Sequence, residues 1–134
     1  MDVTWNTRYN TGIHIVDEQH QELFRIVGDL RQQVQVGADR AVIEGLLQGL
    51  VDCTEHHFAT EEEVMAKVDY PDFNQHVAEH VTMLTSLHEL LGKFQESHQA
   101  MAMMVPTFME GWLKHHISDG DLGFVTFLKA RNLV

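Results

Sequence analysis

Apolar residues recur along the chain at intervals of three and four positions, and the alternation typical of β-strands is scarce. This spacing predicts amphipathic helices whose apolar faces pack together. We predict four long helices, over about residues 16–36, over about 39–68, from the turn at 69–72 to about 96, and over about 105–117. A short fifth helix is predicted through Phe124, Phe127 and Leu128, beyond a break at 118–120.

The connections between these helices are short, which favours antiparallel neighbours in the bundle. The chain has 134 residues, the size of one domain with one hydrophobic core. We therefore predict an all-α fold, an antiparallel up-down-up-down four-helix bundle with an irregular N-terminal arm over residues 1–15 and a short C-terminal helix. Residues 1–134 are expected to form a single domain.

Each long helix has an apolar stripe that can be followed at alternating steps of four and three, the spacing of left-handed bundles. The first stripe is Val16, His20, Leu23, Val27, Leu30 and Val34. The second is Ile43, Leu47, Leu50, Thr54, His57, Glu61, Val64 and Val68. The third is Phe73, His76, His80, Leu84, Leu87, Leu91 and Phe94. The fourth is Val105, Met109, Trp112 and His116.

Polar residues on all four stripes point to a shared chemical cause. A carboxylate without partners in an apolar interior costs several kcal/mol. A metal cation would balance that charge and would use the lone pairs of the imidazole nitrogens. The candidate ligands on the stripes are His20, His57, Glu61, His76, His80 and His116.

The remaining histidines lie off the stripes. His56 and His115 each precede a candidate ligand, and one residue along a helix is a rotation of about 100°. We expect them to be solvated or hydrogen-bonded, together with His14, His88 and His98. A lone histidine on an apolar face is usually structural, but five with carboxylates at this spacing favour metal binding.

Asp121 is a seventh candidate, because the break at 118–120 would allow its carboxylate to turn back beneath His116. From periodicity alone, an aspartate there is more often a helix-end or N-cap residue. Seven ligands are too many for one ion. Two six-coordinate ions joined by two bridging carboxylates and a bridging oxide or hydroxide would keep one vacant position for an exogenous ligand.

The ligand types narrow the metal and the chemistry. Imidazole and carboxylate without sulfur suit iron, manganese or zinc, and a redox-active pair with one vacancy suits O2. Di-iron carboxylate enzymes use more glutamates and fewer histidines. Fewer anionic donors should stabilise high-valent iron less, which favours carrying O2 intact over cleaving it.

The composition excludes several other functions. A formal net charge of −11 disfavours nucleic acid and an anionic membrane surface as partners. The single cysteine, Cys53, allows neither an intrachain disulfide nor a thiolate cluster. No secretory signal or membrane-spanning run is apparent, so we expect a cytoplasmic protein.

The chain resembles the hemerythrins, in particular the single-domain bacterial members. The resemblance rests on four segments: GIHIVDEQH ending at His20, HFATEEEVM from His57, YPDFNQHVAEH through His80, and WLKHHISDGD through Asp121. It implies two iron ions per chain with a bridging oxide or hydroxide. His76, His80 and His116 would hold one iron, His20 and His57 the other, and Glu61 and Asp121 would bridge them.

The resemblance also implies that O2 binds reversibly at the iron of His20 and His57, beside a pocket wall formed by Trp112 and Leu113. Two positions depart from the family pattern. His115 stands where many relatives have an amide residue, and Phe124 stands where relatives often have tyrosine. Neither departure removes a candidate ligand; both lie where side chains around the ligands would tune the metal centre.

Three functions are compatible with this sequence. The first is an O2 carrier, store or delivery protein, which is not an enzyme. The second is an O2 or redox sensor acting through a partner, and the third is a di-iron enzyme of peroxidase or nitric-oxide-handling type. Sensor modules are usually fused to output domains and an enzyme needs a substrate pocket, neither of which the sequence displays, so we favour the carrier.

Overall fold

The computed structural model describes residues 11–97, 104–116 and 122–132. Over these residues the protein contains helices and no strand, which confirms the all-α prediction. The helices are α1 (His14–Gln35), α2 (Arg40–Lys67), α3 (Phe73–Ser97), α4 (Met104–His115) and α5 (Leu122–Ala130). His116 follows α4 directly in a wider, π-type turn.

The four long helices pack as a closed square. Helix α1 packs against α2 and α4, and α3 packs against the same two helices. Because the α1–α2 and α2–α3 connections are short, α2 runs opposite to both α1 and α3. This arrangement is the predicted up-down-up-down bundle, with α5 as the predicted short C-terminal helix.

The α1–α2 connection contains the residues that end α1 and begin α2. Helix α1 ends before Gly37, whose φ of 72° lies in the left-handed region that favours glycine. The Ala38 N–H donates to the Gln33 carbonyl at 3.0 Å, which closes the end of the helix. Asp39 stands at the predicted N-cap of α2, but its side chain makes no capping hydrogen bond.

The α2–α3 connection is a tight five-residue turn over 68–72. Asp69 adopts a φ of 53°, a conformation that aspartate tolerates better than most residues. The Tyr70 N–H donates to the Met65 carbonyl at 3.1 Å, and the Tyr70 ring packs edge-on against Phe124 of α5. The turn is therefore tied both to the end of α2 and to the C-terminal helix.

The predicted stripes are largely buried, but they shift by one position in three places. Met65, Met83 and Leu113 are buried, whereas the predicted neighbours Val64, Leu84 and Trp112 are only partly buried. A helix turns every 3.6 residues, so a strict order of four and three steps drifts from the true buried face.

Apolar side chains fill the bundle in two clusters. The larger includes Leu23, Leu47, Phe94 and Met109 and occupies most of the interior. The smaller joins Met65 to Phe124 and Leu128 of α5 and closes one end. The candidate metal ligands lie along the helices between the residues of these two clusters.

Candidate metal centre

Four helices bring the predicted side chains together in one buried layer. The six candidate ligands within the described residues are each at most 4% exposed: His20, His57, Glu61, His76, His80 and His116. Helix α1 supplies one of them, α2 two, α3 two, and the turn after α4 one. Asp121, the seventh candidate, lies outside the described residues.

Glu61 occupies the middle of this layer, and its two oxygens face different histidines. On one side, Oε2 lies 3.0 Å from His57 Nε2 and 3.6 Å from His20 Nε2. His57 precedes Glu61 by one helical turn on α2, so both point to the same side of that helix. The His20 and His57 rings lie edge-on, with centroids 4.4 Å apart.

The other carboxylate oxygen faces three histidines. Glu61 Oε1 lies 3.2 Å from His80 Nε2 and 3.3 Å from His116 Nε2, and it also contacts His76 Nε2. His76 and His80 are one turn apart on α3, so both rings reach the same oxygen. Glu61 therefore has two imidazoles at one oxygen and three at the other.

Two overlapping groups of potential ligand atoms result. One contains His20, His57, Glu61 and His116, and the other contains Glu61, His76, His80 and His116. His116 belongs to both by proximity, but its contact to Glu61 is made through Oε1, the oxygen that faces His76 and His80. The contacts thus associate His116 with the α3 histidines.

The charge of Glu61 is maintained against its burial. Burial by itself would raise the pKa of this carboxyl. The opposing effect of positive charge on His116 and His57, with hydrogen bonds from His116 and His20, holds the pKa of Glu61 well below its usual range. These surroundings therefore favour the charged form of Glu61 despite its burial.

The donor set fits a metal site on its chemistry. Five imidazole nitrogens, all Nε2, converge on two carboxylate oxygens. Atoms that carry lone pairs repel one another at such distances unless protons or cations lie between them. Nitrogen and oxygen donors without sulfur suit iron, manganese or zinc, and a carboxylate with separately surrounded oxygens suits two ions.

Three side chains that were not among the predicted site residues lie beside the histidine rings. The Phe58 ring stacks on His80 at 3.7 Å, with only 3° between their planes. Gln19 Oε1 lies 3.1 Å from His57 Nδ1, and Glu62 Oε1 lies 3.6 Å from His80 Nδ1. Phe58 and Glu62 directly follow candidate ligands, and Gln19 directly precedes one, so adjacency was the available signal.

The two predicted pocket residues have different surroundings. Leu113 is fully buried in the larger apolar cluster. Trp112 is half-buried and stacks on the His116 ring, with centroids 4.4 Å apart and 12° between the planes. Trp112 and His116 also form part of the wall of a cleft of about 480 Å³ between α3 and α4.

The other histidines within the described residues lie on the surface, as expected. His56 and His115, which adjoin candidate ligands in sequence, are exposed. His14 pairs with Glu18 at 2.8 Å, and His88 lies 3.5 Å from Glu55. His98 lies outside the described residues.

A second buried carboxylate was also missed. Glu110 on α4 is 4% exposed, and its oxygens lie 2.7 Å from Arg31 Nη2 and 3.1 Å from Lys114 Nζ. Arg31 comes from α1, so this ion pair crosses between two helices. Glu110 lay off the predicted stripe because the stripe passed through Met109.

Comparison with known proteins agrees with this architecture. The sequence model of the hemerythrin HHE cation binding domain matches residues 11–128. A bacteriohemerythrin of Methylococcus capsulatus is 31% identical over 120 residues, covering 89% of this chain and 91% of its own. A myohemerythrin of Theromyzon tessulatum is 27% identical over 120 residues, covering 90% of this chain and 88% of its own.

Solved structures give the same result. The crystal structure of a wild-type hemerythrin matches with a TM-score of 0.81 and 31% identity, over 88% of this chain and 91% of that chain. A mutant hemerythrin matches with a TM-score of 0.82 and 30% identity, over 90% and 93%. No described helix is long and apolar enough to cross a membrane.

Proposed function

Because this chain belongs to the hemerythrin family, we propose that it binds dioxygen reversibly at a non-haem di-iron centre within its bundle. The observation that carries the proposal is the division of histidines around Glu61. Two imidazoles face one carboxylate oxygen and three face the other. A site that only stores two metal ions would not require unequal numbers of imidazoles around them. A centre in which one ion keeps an open position requires fewer protein donors at that ion.

The proposed ligands follow the two sides of Glu61. His76, His80 and His116 would hold one iron, and His20 and His57 would hold the other. Glu61 would bridge the two irons through its separate oxygens, and Asp121 would provide a second bridge. A bridging oxide or hydroxide would complete the pair.

The iron pair would supply the electrons that reversible O2 binding requires, and the protein would control access and protons. The side with two imidazoles has fewer donors and is the proposed O2 side. Leu113 is fully buried in the apolar cluster, and with Trp112 it is the proposed wall of the O2 pocket. An apolar wall excludes water and external protons, which otherwise promote irreversible oxidation.

Optical spectra recorded while the atmosphere is alternated between air and argon test this function. The reduced iron protein should develop a charge-transfer band in air, lose it under argon and regain it on re-exposure, with two irons per chain by metal analysis. One firmly bound zinc per chain would contradict the di-iron centre. Rapid, irreversible oxidation with release of stoichiometric peroxide would favour an enzyme over a carrier.

A further inference from the structure

Helix α1 reaches the proposed O2 side through two consecutive residues. His20 contributes its own imidazole, and the half-buried Gln19 reaches across to α2. The Gln19 amide contacts two residues there, His57 through Oε1 at 3.1 Å and Thr60 through Nε2 at 3.1 Å. One amide thus joins a candidate ligand to a hydroxyl almost one turn further along the same helix.

The direction of these hydrogen bonds is fixed from the Thr60 end. The Thr60 hydroxyl donates its single proton to the His56 carbonyl at 3.0 Å. Its oxygen can then only accept from Gln19, so the NH2 group of the amide points to Thr60 and the carbonyl oxygen points to His57. A carbonyl oxygen accepts, and therefore His57 Nδ1 must carry the proton of this hydrogen bond.

We propose, building on the di-iron function above, that Gln19 is a positioning residue that holds His57 in the tautomer protonated at Nδ1. The Nε2 lone pair of His57 is then directed at the Oε2 side of Glu61, where a metal ion would lie. Helix α1 in this way supplies one imidazole of the proposed O2 side and orients the other. Thr60 acts one step further out, by orienting the amide.

The Gln19 amide that contacts His57 Nδ1 is neutral, whereas His80 Nδ1, on the other side, makes no hydrogen bond to the described residues. His80 Nδ1 lies 3.6 Å from a carboxylate oxygen of Glu62. A carboxylate partner makes an imidazole a stronger electron donor than an amide does. Gln19 therefore gives the proposed O2 side a histidine that is held in orientation without added negative charge.

Nuclear magnetic resonance of the zinc-loaded protein tests the hydrogen bond directly, since zinc is diamagnetic. In the parent protein the His57 Hδ1 resonance should be shifted downfield and protected from exchange with water. In Gln19→Met, which has similar length but no acceptor oxygen, that resonance should broaden into solvent exchange. Gln32→Met, on the exposed face of α1, should leave it unchanged.

The rate of zinc loss to a chelator gives a second measurement. Outer hydrogen-bond partners of metal-bound histidines typically contribute about 10–100-fold to metal affinity. Gln19→Met should accelerate the loss of zinc from the position held by His20 and His57 by a factor in that range. Gln19→Glu should restore slow zinc loss, because a carboxylate also accepts from the His57 Nδ1–H. No acceleration in Gln19→Met would show that Gln19 only fills space, and equal acceleration in both variants would show that an acceptor oxygen is not what slows zinc loss; either result would overturn the proposal.

Thr60 provides an independent variant in case Gln19→Met folds poorly. Thr60→Val cannot accept from the amide, so Gln19 can rotate and the His57 Hδ1 proton should exchange faster. Thr60→Ser keeps the hydroxyl and should behave as the parent. An unchanged His57 Hδ1 resonance in both Thr60→Val and Gln19→Met would refute the proposed role of Gln19. If the zinc protein behaves as expected but the iron protein does not bind O2 reversibly, only the proposed function would be refuted.

Discussion

Two buried glutamates within the described residues have opposite surroundings. The Glu61 side chain is 1% exposed and faces five imidazole nitrogens. The Glu110 side chain is 5% exposed and faces the Arg31 guanidinium and the Lys114 ammonium group. Both are buried carboxyl side chains on helices of one bundle, and they differ in the groups that face them.

The comparison shows that a buried carboxylate is not by itself a sign of a metal site. Arginine and lysine are permanently charged at neutral pH, so the chain itself balances the charge of Glu110. Imidazole has an unperturbed pKa of about 6.5, so near neutral pH it can either carry a second proton or keep one nitrogen lone pair free. The histidines around Glu61 offer lone pairs, and the charge of that carboxylate then calls for bound protons or cations.

The largest expected effect is the loss of metal from one glutamate variant and not from the other. Glu61→Ala removes the proposed bridge and should lose most of the iron, with a lower thermal midpoint because metal binding is coupled to folding. Glu110→Ala should retain two irons per chain. The iron content of both purified variants tests this prediction. Iron loss from Glu110→Ala but not from Glu61→Ala would show that Glu110, and not Glu61, is needed for metal binding.

The adjacent histidines sharpen the assignment of partners to Glu61. His57→Ala should lose iron, whereas His56→Ala should retain two irons, because only His57 is buried beside the carboxylate. His116→Ala and His115→Ala should differ in the same way. Metal content and absorption spectra report the result, and retention of both irons in His57→Ala would remove this residue from the proposed ligands.

Leu113 lies on α4 between Glu110 and His116 in sequence and is buried in the larger apolar cluster. Leu113→Ala should lower the free energy of unfolding by about 2–5 kcal/mol, since it leaves a cavity in a packed core. It should also accelerate irreversible oxidation of the iron in air while both irons remain bound. Urea denaturation and oxidation rates measured on one preparation separate these effects, and an unchanged oxidation rate would make Leu113 a packing residue only.

The smallest effect is expected from Arg31, whose removal leaves Glu110 with Lys114 alone. Losing one partner of a fully buried ion pair costs about 3–5 kcal/mol, but Arg31 is 17% exposed and Lys114 remains, so Arg31→Met should cost about 2 kcal/mol. Iron content should not change. The double variant Arg31→Met with Glu110→Gln should recover part of the stability, and a further loss would show that the ion pair is not the cause.

The sequence predicted the helices and the ligand histidines for one physical reason. A buried face repeats every three to four residues, so His20, His57 and His80 could be placed on their faces without knowledge of any neighbour. The same argument mistook Val64 for the buried Met65, because α5 covers the end of α2 and a single helix does not reveal its cover.

Contacts between helices were beyond that argument. Gln19 and His57 are 38 positions apart, and Arg31 and Glu110 are 79 positions apart. No periodicity within one helix reports such pairs, since they depend on how helices rotate against each other. Asp121 remains a prediction, because it lies outside the described residues and its position follows from a turn and not from a helix.

The five-residue turn between α2 and α3 limits how this protein can vary. Glu61 lies before it and His76 and His80 lie after it, so the turn sets their rotation relative to one another. Its hydrogen bond to Met65 and the packing of Tyr70 on α5 restrict the conformation of the turn. If one residue were inserted and shifted the register of α3 by one position, His76 and His80 would rotate by about 100° around the helix axis and would no longer face the Glu61 carboxylate. Variation in this segment is therefore expected to exchange residues but to preserve their number.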